Sequence, residues 1–386
     1  MLADLVVLGV AGLVTYFATP LARRLAIRVG AVVAPDDRRV HPTPTPLFGG
    51  VAMLVGFLAA MGVASQLGEF KSAFAGSSEP YGVVLAAIVI FVIGMLDDVR
   101  EVSAPAKVAG QATAGSVLYL LGVTMLFFRI PFAGTVVLSA DLAPLVTVLW
   151  VLGMANAINL IDGLDGLAAG VVAIAAGAFF LYTERLTDAG LLGPDNLSPV
   201  LALVTLGICL GFLPHNFNPA RIFMGDAGAM LLGLLMASST MVVGGRIDDP
   251  FSGQTFFFFA PLFIPFFILG VPILDTIFAI VRRAARRTGV AAADKEHLHH
   301  RLVRLGHGHR RSVLILWLWT AILSGFVLYP TFTDKGNHIV PFGVAALGVA
   351  LYTVFHPGAR EARLANGNGS RGTAEGTADR EASEPL

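Results

Sequence analysis

Little in this chain carries charge. Only 13% of its 386 residues are Asp, Glu, Lys or Arg, about half the share in an average soluble domain. The 26 basic and 26 acidic residues cancel, so no overall field draws the chain to nucleic acid or to an acidic partner. Cysteine is almost absent. Cys209 stands alone inside an apolar run, which excludes an intrachain disulfide and a thiolate metal cluster and reads as a small buried hydrophobe. No repeat period is evident, which weakens an inverted-repeat transporter reading. What remains is apolar: 55% of residues are hydrophobic and the mean hydropathy is +0.76, more than a water-soluble core requires.

A helix crosses a bilayer with about 20 mainly apolar residues. Runs of roughly that length recur at 2–22, 47–64, 81–96, 108–128, 142–161, 166–184, 198–214, 227–244, 256–281, 312–329 and 339–356. The sequence therefore predicts an all-α integral membrane protein of about eleven transmembrane helices. The first run lacks a basic start and is followed by further spans, so it reads as a span and not as a cleaved signal. Cytoplasmic loops are enriched in Lys and Arg. Of the 26 such residues, 21 fall in the loops after spans one, three, five, seven and nine and in the C-terminal tail; only Lys71, Arg129, Arg185, Arg246 and Lys335 fall on the other side. This puts the N-terminus outside and the C-terminus in the cytoplasm. Residues 1–356 read as one membrane catalytic domain. Residues 357–386, rich in Gly, Ala, Ser, Arg and Glu, cannot bury enough surface to offset ordering and read as a disordered cytoplasmic tail.

The polar motifs all fall in the basic set of loops. The first loop carries Pro42, Pro44 and Pro46 at alternate positions, which hold the backbone extended, then Gly49-Gly50 at the start of span two. Span three ends in Asp97-Asp98, with Lys107 and Gln111 following. Adjacent carboxylates repel unless a cation or a proton intervenes, a pattern suited to a metal or a general base. Span five closes with Asn156, Asn159 and Asp162 along one helical face, and Asp165-Gly166 turns the chain into span six. Such side chains are expensive against lipid and should face a polar site. After span seven, Asn216 precedes Phe223-Met224-Gly225-Asp226. Asp226 is placed to ligate a hard cation such as Mg²⁺, and Phe223 to stack a planar base.

The largest cytoplasmic loop contains His297-Leu298-His299-His300-Arg301. Zinc needs about four converging ligands, and three histidines in one short run without Cys do not supply them; recognition of an anion by His and Arg suits the run better. His307 and His309 read as ordinary polar loop residues. Arg282, Arg283, Arg286 and Arg287 read as a grip on anionic head groups. Two other classes stay in view. A secondary transporter would gather its polar residues near midplane, whereas these sit at helix ends. A prenyltransferase would need a second Asp-rich block, which Asp162 and Asp165 imitate poorly.

Taken together and in this order, the blocks Pro44-Thr45-Pro46-Leu47-Phe48-Gly49-Gly50, Asp97-Asp98, Asn156 to Gly166, Phe223 to Asp226 and His297 to Arg301 resemble the polyprenyl-phosphate N-acetylhexosamine-1-phosphate transferases. The likeness covers about residues 1–330, and the His-Leu-His-His spacing is similar to the WecA/TagO-like branch. Glu101 departs from it, since such members often carry Asp there. The resemblance implies a bacterial cytoplasmic-membrane enzyme with its active site facing the cytoplasm. It would transfer N-acetylglucosamine-1-phosphate from UDP-N-acetylglucosamine to undecaprenyl or decaprenyl phosphate, release UMP, and start a cell-envelope glycan. It implies Mg²⁺, with Mn²⁺ as the substitute, held by Asp226 with Asp97 and Asp98. Asp97 and Asp98 would also orient or deprotonate the lipid phosphate, and Lys107 would neutralise phosphate charge. Asn159, Asp162, Asp165, Asn216 and Phe223 would form the uridine pocket; His297, His299, His300 and Arg301 would meet phosphates or sugar, with His299 counted among the catalytic groups. Nucleic acid is not an expected partner, and whether the chain forms a homodimer is not written in these motifs.

Overall fold

The computed structural model describes residues 1–33, 44–100, 102–130, 134–193, 195–244, 308–333 and 339–355. Within them the chain is mostly helical: α1 (Leu2–Val29), α2 (Gly49–Ala64), the short α3 (Lys71–Ala75), α4 (Glu79–Arg100), α5 (Ala104–Leu120), α6 (Leu142–Ile161), α7 (Leu167–Asp188), α8 (Ser198–Asn216), α9 (Gly225–Gly244), α10 (Gly308–Thr333) and α11 (Ile339–Phe355). Among the described residues six helices, α1, α4, α6, α7, α8 and α9, are long and apolar enough to cross a membrane, or seven if α2 and α3 form one bent span. The predicted ninth span, 256–281, and the tail, 357–386, lie outside the described residues.

Local chemistry sets the helix ends. Gly30, at φ 77°, closes α1 and returns its N–H to the carbonyls of Ala26 and Ile27, the left-handed stop that glycine adopts without steric cost. Proline in the first turn starts α5 and α8, where its missing N–H would have had no partner in any case. One stretch departs from the hydropathy reading. The fourth run, expected over 108–128, ends as helix at Leu120 and continues as a hairpin in which β3 (Phe127–Ile130) pairs antiparallel with β4 (Gly134–Val137). Aromatic and β-branched residues score as apolar in a hydropathy window yet favour an extended backbone. The second run, expected over 47–64, forms α2, and the chain then bends by 88° into α3 across Gly68–Phe70. A further short pair, β1 (Val32–Val33) with β2 (Thr45–Pro46), spans the first loop.

α9 is the axis of the bundle. Of its apolar stretch 94% is buried, against 28% in α1. It packs on α4, α6 and α8, with α5 outside α4 and α6, α1 and α2 against α8, and α7 between α8 and α10. Small residues permit these approaches, as they do where helices lack a hydrophobic drive to associate: a Cβ on Gly94 of α4 would overlap the backbone of Ala227 in α9. Two amides, Gln111 buried and Asn156 half-buried, join three helices below the polar end. The Asn156 Nδ2 donates to Gln111 Oε1 at 2.8 Å, and Gln111 Nε2 donates to the Met230 sulfur at 3.1 Å.

Candidate active site

The polar helix ends come together at one end of the bundle, stitched mainly by backbone. Phe223 donates its N–H to the Pro46 carbonyl at 2.9 Å, while Gly49 and Gly50, opening α2, donate to the carbonyls of Phe223 and Met224, each at 2.9 Å. Arg23 from the end of α1 donates to the Arg221 carbonyl at 3.0 Å. The loop before α9 is thus held by α1 and by both sides of the α2 entry.

The C-terminal end of α4 faces the first turns of α5 and α9. Lys107 Nζ donates to Asp97 Oδ2 at 2.8 Å and also to Asp226 Oδ2. Asp97 Oδ1 accepts the Val102 N–H at 2.7 Å. Asn159, with its amide turned to satisfy both neighbours, donates to Asp226 Oδ1 at 3.0 Å and accepts from Lys107 at 3.3 Å. Asp98 turns elsewhere: its oxygens accept the N–H groups of Asp226, at 2.7 Å, and Ala227, at 3.2 Å. The side chains of Asp97 and Lys107 are each 16% exposed and that of Asp226 31%, so the group is sheltered yet open to a ligand.

Asp162 follows α6 and is partly buried. Burial, followed by the charges of Asp226, Asp98 and Asp165, pushes its carboxyl up to about 8. Lys107 is thus paired with two carboxylates, Asp97 and Asp226, with the acidic groups of Asp98 and Asp162 close by. Among the described residues no three His, Cys, Asp or Glu side chains converge as a ready metal shell. The donor set nonetheless fits a hard cation: Asp97 and Asp226 already aim oxygens at one positive charge, and Asn159 contributes amide contacts beside them.

The remaining predicted pocket residues divide by burial. Asp165 is 3% exposed; its Oδ2 accepts Asn218 Nδ2 at 2.9 Å and the Ala220 N–H at 3.0 Å. Asn216, 2% exposed, accepts the Gly166 N–H and donates to the Ile222 carbonyl, each at 3.0 Å. Both support the loop from beneath, whereas Phe223 is half-buried. His297, His299, His300 and Arg301 lie outside the described residues. His309, read from sequence as an ordinary loop residue, accepts the Asp165 N–H at Nε2 (3.0 Å), and its neighbour Arg310 donates to the Asn218 carbonyl at 3.0 Å. The only signal for it was proximity to the histidine run, because its partners are backbone groups that leave no pattern in a sequence.

Comparison with known proteins adds to this geometry. The model of glycosyl transferase family 4 matches residues 80–244, the stretch from α4 to α9 that holds these acidic side chains. The decaprenyl-phosphate N-acetylglucosaminephosphotransferase of Mycolicibacterium smegmatis is 41% identical over 361 residues, 92% of this chain and 88% of that protein. The chain belongs to glycosyl transferase family 4. Within the family, a probable undecaprenyl-phosphate N-acetylglucosaminyl 1-phosphate transferase of Bacillus subtilis is 38% identical over 79% of each chain. A phospho-N-acetylmuramoyl-pentapeptide-transferase of Desulforudis audaxviator is 33% identical over 84% of this chain and 97% of its own.

Proposed function

We propose that the protein transfers N-acetylglucosamine-1-phosphate from UDP-N-acetylglucosamine to a polyprenyl phosphate, decaprenyl or undecaprenyl, and releases UMP. The observation that carries this reading is the convergence of Asp97, Lys107, Asn159 and Asp226 at one end of a membrane bundle, in a family whose relatives with 38 and 41% identity bear names for this transfer. In the reaction an oxygen of the lipid phosphate attacks the sugar-linked phosphorus. The bond from that phosphorus to the bridging oxygen breaks, and the electron pair leaves with UMP. The attacking phosphate is already anionic, so positioning and charge relief supply most of the catalysis.

An acidic site in which a single lysine faces Asp97 and Asp226 repels a pyrophosphate unless a cation intervenes. When bound, Mg²⁺ held by Asp97 and Asp226 would supply that charge relief. Lys107, which bridges the same two carboxylates, would neutralise phosphate oxygens beside them. Asn159 fixes the Asp226 carboxylate, and Asp162 presents a proton or a charge according to pH. Phe223 offers a face on which uracil stacks, and Asp165, Asn216 and His309 hold the loop that carries it. The histidine run 297–301 is assigned to phosphate and sugar contacts by its residue types alone. We place these groups at the cytoplasmic face of the bacterial inner membrane, within eleven spans and with the N-terminus outside, on the strength of the Lys and Arg distribution.

The test is UMP release by the purified protein with UDP-N-acetylglucosamine and either polyprenyl phosphate, with and without EDTA. Activity is expected to vanish on chelation and to return with Mg²⁺ or Mn²⁺. Turnover with UDP-N-acetylmuramoyl-pentapeptide but not with UDP-N-acetylglucosamine would overturn the substrate assignment.

A further inference from the structure

The two adjacent aspartates have separate tasks. Successive residues on a helix point about 100° apart, so Asp97 and Asp98 leave α4 in different directions. Asp97 takes Lys107 and the Val102 N–H, whereas Asp98 meets the first turn of α9 with both oxygens. The first N–H groups of a helix have no partner within it and are commonly satisfied by a Ser, Thr, Asp or Asn just before it. Met224 and Gly225 have no side-chain oxygen to offer. The cap of α9 comes instead from α4. The sequence makes room for it twice: Gly225, at φ 69°, leaves the space that a Cβ would take from the Asp98 carboxylate, and Gly94, one turn before Asp98, lets the α9 backbone lie against α4. From the opposite side the Gly49 and Gly50 N–H groups hold the carbonyls of Phe223 and Met224. Segment 223–227 is therefore held at the carbonyls of Phe223 and Met224 by α2 and at the N–H groups of Asp226 and Ala227 by Asp98.

We propose that Asp98 is a positioning residue, the external cap that sets where Asp226 stands, and that it does not itself bind cation, lipid phosphate or a transferred proton. This rests on the reading above that Asp226 acts on the pyrophosphate. Asp98→Asn keeps one acceptor oxygen and Asp98→Ala keeps none. Displacing a reacting group by about 1 Å costs on the order of 100-fold in rate. Turnover is accordingly expected to fall by roughly 10-fold in Asp98→Asn and on the order of 100-fold in Asp98→Ala. The KM for the UDP-sugar should change little, and the pH–rate profile of Asp98→Asn should keep the shape of the wild type. In detergent, amide hydrogen exchange in the peptide covering 225–228 should speed up in Asp98→Ala and to a lesser extent in Asp98→Asn. Loss of the acidic limb of the pH profile in Asp98→Asn would make Asp98 a base. Unchanged exchange in both variants would remove the cap; if Asp98→Ala does not fold, the exchange and pH profile of Asp98→Asn decide alone. Asp226→Asn assayed in parallel keeps the two claims apart, because retained turnover there overturns the role of Asp226, while exchange at 225–228 still judges Asp98.

Discussion

At the scale of single residues the site is a balance of charge that one side chain holds together. Lys107 is the ammonium placed between Asp97 and Asp226, and removing one partner of a sheltered group leaves the others unpaired. Lys107→Met is expected to lower the thermal midpoint of the detergent-purified protein, with partial recovery on adding millimolar Mg²⁺. An unchanged midpoint, or one that Mg²⁺ does not raise, would show that the two carboxylates need no cation. Asp162 gives a second test, with a definite sign. Its carboxyl titrates near 8 in the fold and near the ordinary value of about 3.9 in an unfolded chain. Between those values the folded state binds a proton that the unfolded state lacks, so this group's contribution to stability is full below about pH 4 and is lost as pH rises through 8. Relative to Asp162→Asn, the wild type should lose thermal stability between pH 5 and pH 8.5. A difference that stays constant over that range would place Asp162 among ordinary carboxyls.

At the scale of helices and loops, the amide pair under the site ties α5, α6 and α9 together. Asn156→Leu takes the donor from the buried Gln111 oxygen, and Gln111→Leu takes one acceptor from the half-buried Asn156, and each is expected to cost about 1–3 kcal/mol. The double variant should recover part of that loss, since both polar groups are then gone, and a thermal-shift double-mutant cycle checks it. Additive losses would mean that the two amides do not act as a pair. Both residues were visible in the sequence as polar positions inside apolar runs, and the ends of α6 and α9 lie within a few residues of where hydropathy put them. Long apolar runs are legible because transfer free energy accumulates along them. The β3–β4 hairpin and the bend after α2 were not, because they depend on local backbone preference and turn geometry within stretches of equal hydropathy. The site divides in the same way. Asp97, Lys107 and Asp226 declared themselves as charges at helix ends, whereas the work of Asp98, Asp165, Asn216 and His309 rests mainly on bonds to backbone groups contributed by distant segments, which residue type alone does not encode.

At the scale of the whole molecule, the assigned orientation is open to a direct check, because the only native thiol, Cys209, is fully buried. Lys71→Cys and Ser103→Cys place new thiols at exposed positions on loops of opposite charge parity. A membrane-impermeant maleimide should label Lys71→Cys in intact spheroplasts and Ser103→Cys only in inverted vesicles; the reverse pattern would invert the topology. The bonds from α10 to the loops carry a consequence of another kind. Asp165 and His309 are 144 positions apart, and Asn218 and Arg310 are 92 apart. At ~5–20 residues made per second, the acidic side chains enter the membrane well before the segment that locks the loop beside them. A growing chain is thus threaded into the bilayer with its chemistry unfinished. A chain that stops before residue 308 lacks both bonds and is expected to insert yet leave the lipid carrier unspent, which UMP release by such a truncation would check.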